Sequence, residues 1–114
     1  MKLVRCYINP DKLASLKEAL FAQGVPGMSA TEIMGIGKPM SQLERFMAKG
    51  HSAPDFYSKF QVDIVLEDDQ VEELLETICK VCFTGALGDG KIFVLPVEEA
   101  VRIRTGERGH KALY

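Results

Sequence analysis

The sequence has no tryptophan, only three cysteines and two histidines, and no strong excess of either charge. An odd number of cysteines argues against a disulfide framework. A formal net charge of -2 gives neither the basic footprint of a nucleic-acid-binding protein nor an acidic tail. No apolar run approaches the roughly 20 residues that span a bilayer, and the N-terminus lacks the apolar segment of a signal peptide. We therefore expect a cytoplasmic protein that does not bind nucleic acid.

Hydrophobic periodicity predicts two strand–helix–strand units within one domain of 114 residues. The predicted strands are residues 3–8, 28–36, 60–66 and 92–97. One helix is expected between the first two strands and another between the last two. A short additional strand is expected at 101–103, followed by a loose polar tail from Gly106 onward.

Each predicted helix has one apolar face. In the first helix this face contains Leu13, Leu16, Leu20 and Phe21, and in the second it contains Val71, Leu74, Leu75, Ile78 and Cys82. The order of elements predicts an α+β, ferredoxin-like double βαβ sandwich, with an antiparallel sheet and both helices on one face. The opposite face of the sheet is then apolar and uncovered, which favours a homo-oligomer.

Between the two units lies a loop of unusual length for so small a domain, residues 37–59. Loops of this length are often functional. Leu43, Phe46 and Met47 follow helical spacing. Their apolar stripe either packs within the loop or docks on a partner.

Three glycines and a lysine are concentrated in the stretch TGALGDGKIFV, residues 84–94. Its letters match the start of a nucleotide-binding P-loop, but that motif needs a helix after the glycines and a hydroxyl residue after the lysine. Here Ile92 follows Lys91, in a predicted strand. Two interpretations remain: a loop whose backbone amides and lysine bind an anion, or a plain glycine-rich turn.

A second basic motif is VRIRTGE, residues 101–107. In an extended segment Arg102 and Arg104 leave the same side, and paired guanidinium groups suit phosphate recognition. The alternative is a strand edge protected by charge.

Together these motifs resemble the PII signal-transduction family. TGALGDGKIFV resembles its B-loop (residues 84–91), VRIRTGE its C-terminal segment (101–114), and GMSATEIMGIG the strand that leads into its T-loop (37–59). The opening MKLVRCYINPDKLASLKEAL resembles its first strand and helix. The resemblance implies a homotrimer that binds adenine nucleotides (ATP, ADP or AMP) in clefts between subunits. It also implies a regulator rather than an enzyme.

The resemblance assigns the candidate binding residues by position. Those near the nucleotide phosphates are Gly35, Gly37 and Lys38 at the base of the T-loop, Gly88, Asp89, Gly90 and Lys91 in the B-loop, and Arg102 and Arg104 from the neighbouring subunit. Those near the adenine are Ser29, Asp63 and Ile64, with Asp63 standing where the family usually has glutamate. Lys59, at the end of the T-loop, matches a lysine suited to a carboxylate.

Besides Asp63, the sequence departs from the family pattern at three places. Pro39 stands where the family has a glutamine whose side chain helps to coordinate magnesium together with 2-oxoglutarate. Proline offers no such side chain, so the resemblance does not extend to 2-oxoglutarate binding and leaves magnesium binding open. The T-loop lacks the usual tyrosine-bearing stretch, and Ala86 replaces a frequent basic residue. The expected target, reached through the T-loop, is a membrane transporter or a metabolic enzyme.

Two other functions remain open at the level of sequence. One is a slow nucleotide hydrolase, although no nucleophile–base pair stands out. The other is a divalent-cation-binding trimer of the same fold, with Cys79 and Cys82 as ligands; buried structural cysteines or a redox pair would explain the same spacing. We expect no metal site and no catalytic residue.

Overall fold

The computed structural model describes residues 1–36 and 56–114. Its strands are β1 (Lys2–Ile8), β2 (Ser29–Gly35), β3 (Tyr57–Leu66) and β4 (Lys91–Pro96). Its helices are α1 (Leu13–Ala22), α2 (Val71–Cys82) and the short α3 (His110–Leu113). Single 3-10 turns, Pro10–Lys12 and Asp68–Gln70, lead into α1 and α2. The predicted double strand–helix–strand order is confirmed.

The four strands form one antiparallel sheet in the order β2-β3-β1-β4. The central strand β1 pairs with β3 from Lys2↔Leu66 to Ile8↔Phe60, and with β4 from Lys2↔Pro96 to Tyr7↔Lys91. This is the ferredoxin-like α+β fold that the sequence predicts. Strand β4 therefore begins at the end of the sheet where Tyr7 lies and finishes at the opposite end, where Lys2 lies.

The core lies between one face of the sheet and the two long helices. Alternate strand residues and one stripe of each helix fill it: Val4, Cys6, Ile8, Leu16, Leu20, Val62, Ile64, Leu66, Val71, Leu74, Ile78 and Cys82. Phe21, predicted to lie on the apolar face of the first helix, lies outside the core and is 52% exposed. Phe21 follows Leu20 by about 100° around the helix and so leaves the stripe that meets the sheet.

The opposite face of the sheet is covered by no helix in the described part of the chain. At its edge Phe93 and Leu95 are 46% and 39% exposed, and the ring of Tyr7 packs edge-on against Phe93 with centroids 5.9 Å apart. In the middle of this face Arg5 donates two hydrogen bonds to Asp63, each 2.9 Å. The predicted uncovered face is therefore present; it is apolar at Phe93 and Leu95 and polar at the Arg5–Asp63 pair and at Gln61.

The C-terminal segment differs from both sequence predictions. Instead of a strand at 101–103, there is a single bridge between Val101 and Arg108, with a turn between them. The tail from Gly106 is ordered rather than loose, because Gly106 and Gly109 adopt positive φ angles of 75° and 65° and redirect the chain into α3. Prediction failed here because such a reversal depends on two glycines and not on hydrophobic periodicity.

Among the described residues, no helix combines the length and apolarity needed to cross a membrane. The predictions made for Gly37, Lys38 and Pro39, and for the stripe of Leu43, Phe46 and Met47, lie outside the described residues.

Candidate functional site

The B-loop is held in shape by the carboxylate of Asp89. This carboxylate accepts hydrogen bonds from the backbone N–H of Thr84 (2.8 Å), the backbone N–H of Gly85 (3.0 Å) and the hydroxyl of Thr84. The hydroxyl of Thr84 in turn accepts from the N–H of Ala86 at 3.2 Å. These bonds, led by the one from the hydroxyl of Thr84, lower the pKa of Asp89. A loop that contains three glycines is thus fixed by one ionised side chain.

Gly90 is the point where the B-loop meets the sheet. Its φ is +100°, and a Cβ built on it would lie 1.7 Å from the carbonyl oxygen of Tyr7. Only glycine allows this conformation together with this approach. The next residue, Lys91, begins β4 opposite Tyr7, so the lysine and the loop share one end of the sheet.

Lys59 connects three segments at the same end. Its ammonium group donates hydrogen bonds to the side-chain oxygen of Asn9 and to the backbone carbonyl of Gly88. Its stem passes over β2, where a Cβ at Gly35 would lie 3.7 Å from the Cγ of Lys59. The structure therefore brings Gly35, Lys59 and the B-loop together at one end of the sheet, with Asn9 beside them.

The two ends of the B-loop differ in how their backbone amides are used. The amides of Thr84, Gly85 and Ala86 are engaged inside the loop. Within residues 1–36 and 56–114, none of the hydrogen bonds involves the amides of Gly88, Asp89 or Gly90. Consecutive amides in a turn of this kind, beside lysine side chains, form an arrangement suited to anions.

The three residues predicted near an adenine divide between the two faces of the sheet. Ser29 and Asp63 are register partners on the uncovered face. There the guanidinium group of Arg5 lowers the pKa of the Asp63 carboxyl through its hydrogen bonds. Ile64 points the other way, into the core, and is only 1% exposed. Ile64 therefore offers almost no accessible surface to a ligand in this structure.

Arg102 and Arg104 do not lie next to the B-loop of their own chain, because β4 leads the chain away from that loop. That strand carries the chain along the sheet for about 17 Å, from Lys91 beside Tyr7 to Pro96 beside Lys2. The arginines follow beyond that far end, in the reversal between Val101 and Arg108. They do not leave one side of an extended strand, because residues 103–105 form a turn.

Sequence reasoning missed the partners of the site residues. Arg5 and Asn9 contact Asp63 and Lys59 from 58 and 50 residues away in the chain. Neither belongs to a local motif, and each pairing depends on the register of β1 with β3. Asn9 precedes a 3-10 turn, but its side chain makes no capping hydrogen bond there and binds Lys59 instead.

Cys79 and Cys82 differ in exposure, so the interpretation of both as buried structural cysteines is wrong for Cys79. Cys82 is buried and Cys79 is exposed, so the two thiols lie in different environments. Burial raises the pKa of Cys6 to about 12 and also raises the pKa of Cys82. In the described ranges no three His, Cys, Asp or Glu side chains are grouped as metal ligands. No observation favours the cation-binding alternative.

The fold and the loops define a ferredoxin-like α+β domain with a glycine-rich, lysine-bearing loop at one end of its sheet. A sequence model of the family described as "Nitrogen regulatory protein P-II" matches residues 1–107, and the chain belongs to this family of signalling regulators. It is 44% identical over 113 residues to the "Nitrogen regulatory protein P-II" of Cereibacter sphaeroides and 43% identical to that of Azospirillum brasilense. It is 39% identical to the "Nitrogen regulatory protein GlnK" of Escherichia coli K12. Each alignment covers 99% of this chain and the whole relative.

Proposed function

We propose that this chain is a trimeric regulator that binds adenine nucleotides in clefts between protomers and acts on a target protein through residues 37–59. Its full-length relatives are named as regulatory proteins, which agrees with a role other than catalysis. The observation that carries the proposal is the B-loop, because the ammonium group of Lys59 binds the carbonyl of Gly88 beside the backbone amides of Gly88, Asp89 and Gly90, and Lys91 follows directly in the chain.

The separation of the cationic groups supports a site shared between protomers. The B-loop lies at one end of β4, and Arg102 and Arg104 lie beyond the other end. The B-loop and the two arginines would contact the same polyphosphate if the arginines came from a neighbouring protomer. The uncovered sheet face, with Phe93 and Leu95 exposed, supplies apolar surface through which copies would associate.

Calorimetry with ATP, ADP and AMP, with and without Mg²⁺, tests the binding. We expect saturable binding of at least one nucleotide, with one site per protomer, and a trimer by light scattering. Titrations with 2-oxoglutarate, bicarbonate and Zn²⁺ test the other effectors and the cation-binding alternative. A monomer, or a trimer that binds no adenine nucleotide, would overturn the proposal.

A pair of arginine variants tests the location of the phosphates. Arg102→Ala removes a charged donor, and since charged hydrogen bonds contribute about 1.5–3 kcal/mol, we expect the Kd for ATP to rise by about tenfold or more. Arg108→Ala is the matched control from the same segment, because Arg108 pairs with Glu99 at 3.3 Å. Equal Kd values for the two variants would place the phosphates elsewhere.

Control of a target is tested through residues 37–59. A ligand shifts this segment only if it binds one of its conformations better than another. We therefore expect saturating ATP to change the rate at which a protease cleaves within residues 37–59. Replacement of Leu43, Phe46 and Met47 by serine should abolish target binding and leave the Kd for ATP unchanged. The target expected is a membrane transporter or a metabolic enzyme.

A further inference from the structure

The two arginines lie on a compact reversal, residues 100–109, which we call the arginine hairpin. Three backbone hydrogen bonds close it: Arg102 N–H to Glu107 O (2.9 Å), Gly106 N–H to Arg102 O (2.8 Å) and Gly109 N–H to Ala100 O (3.0 Å). An isolated hairpin of this size is marginal in water. Its position must therefore be set by whatever holds its two legs.

The first leg is held where β4 ends. The backbone N–H of Val97 donates a 3.2 Å hydrogen bond to the carbonyl of Met1, the residue that precedes β1. This contact fixes the start of the hairpin but leaves its direction to the second leg.

The second leg is held by a small polar cluster, which we call the tail anchor. In it, His110 and Tyr114 contact the turn that contains Glu67 and Gln70. The hydroxyl of Tyr114 donates to the side-chain oxygen of Gln70 and lies 3.4 Å from the backbone N–H of Glu67. The Nδ1 of His110 lies 3.3 Å from Oε1 of Glu67. The rings of His110 and Tyr114 stack, with centroids 4.7 Å apart and planes 19° from parallel.

We propose that His110 and Tyr114 are positioning residues for Arg102 and Arg104, and that the tail anchor sets the affinity of the site for polyphosphate. This inference rests on the proposed function. Hydrogen bonds from guanidinium to phosphate depend steeply on distance and angle. When the anchor is open, the hairpin retains its contact at Val97 and loses its orientation, so only the anchored fraction of protomers binds with full affinity.

The test compares Tyr114→Ala with Lys111→Ala in the full-length chain. Lys111 is exposed on the same short helix, so its variant is a matched control. We expect Tyr114→Ala to raise the Kd for ATP about fivefold, the factor that one hydrogen bond of typical net strength supports, and Lys111→Ala to leave it unchanged. Amide exchange of Arg102, Gly106 and Gly109 should rise in Tyr114→Ala alone.

A double-mutant cycle separates positioning from general loss of structure. In a chain that already carries Arg102→Ala and Arg104→Ala, Tyr114→Ala should have no further effect on the Kd, because it acts through those two arginines. An additive effect, or unchanged affinity together with unchanged amide exchange in the intact chain, would overturn the inference and leave the proposed function standing. If the wild-type chain bound no adenine nucleotide, the proposed function would fall, and amide exchange would still decide whether Tyr114 holds the hairpin.

Discussion

Replacement of Gly90 by alanine should displace the B-loop from the sheet. The added methyl would stand 1.7 Å from the carbonyl oxygen of Tyr7, which is backbone of the central strand, at a φ of +100°. Neither the added methyl nor the carbonyl oxygen of Tyr7 can move aside by rotation of a side chain. Relief therefore requires movement of the loop or separation of the first pairs between β1 and β4.

The size of the effect follows from these two costs. A positive φ costs an alanine about 1–2 kcal/mol relative to glycine, and loss of one or two backbone hydrogen bonds adds about 1 kcal/mol each. The free energy of unfolding should fall by about 3 kcal/mol. At about 4 °C per kcal/mol for a domain of this size, the melting temperature should fall by about 12 °C.

Thermal or urea unfolding at a fixed protein concentration measures this loss, and Gly24→Ala is the matched control. Gly24 has a similar φ of +81°, but nothing lies within 4 Å of its added Cβ, so this variant isolates the backbone term of about 1–2 kcal/mol. Gly90→Ala should also lose ATP affinity, whereas Gly24→Ala should retain it. Equal stability and equal affinity of the two variants would refute the proposed role of the contact with Tyr7.

Three further predictions concern the charged side chains. Asp63→Asn should flatten the dependence of stability on pH. The folded-state pKa of Asp63 is lowered, so the wild type loses stability as pH falls through that pKa, below about 4. The free energy of unfolding of both proteins at pH 3 and pH 7 measures the difference. Glu107→Gln should strengthen ATP binding by up to about fivefold, measured by calorimetry, because Glu107 lies 3.7 Å from the guanidinium group of Arg102 and exposed ion pairs contribute at most about 1 kcal/mol. Lys59→Met should release the Gly88 carbonyl and raise amide exchange across the B-loop, with Lys80→Met on the exposed face of α2 as its control. The first prediction would be contradicted by a stability–pH profile of Asp63→Asn parallel to that of the wild type, and the second by an unchanged ATP affinity of Glu107→Gln. Equal amide exchange in Lys59→Met and Lys80→Met would contradict the third.

Much of the fold could be predicted because periodicity reports which side chains face the core. The alternation of Val62, Ile64 and Leu66 in β3 and the stripe of Leu74 and Ile78 in α2 fix both the elements and their orientation, and these residues are buried as expected. Where periodicity did not determine the structure, prediction failed. The C-terminal segment is shaped by glycine conformations and by contacts of Tyr114 with a turn 44 residues earlier in the chain.

The candidate site was predictable where one motif holds its own geometry. The B-loop contains Thr84, Asp89 and their hydrogen bonds within six consecutive residues. The partners Asn9 and Arg5 were not predictable, because strand register alone places them beside Lys59 and Asp63. Local sequence therefore defines the loop, and the sheet decides what surrounds it.

The unequal burial of the three thiols makes this chain a convenient subject for labelling. Cys79 is exposed on α2, whereas Cys6 and Cys82 are buried, with pKa values raised by that burial. Because the thiolate is the reactive form, an alkylating dye added to the native protein should attach at Cys79 alone. The folded chain therefore accepts a single fluorophore on an outer helix without any engineered residue, and the two remaining sulfhydryls report unfolding when they begin to react.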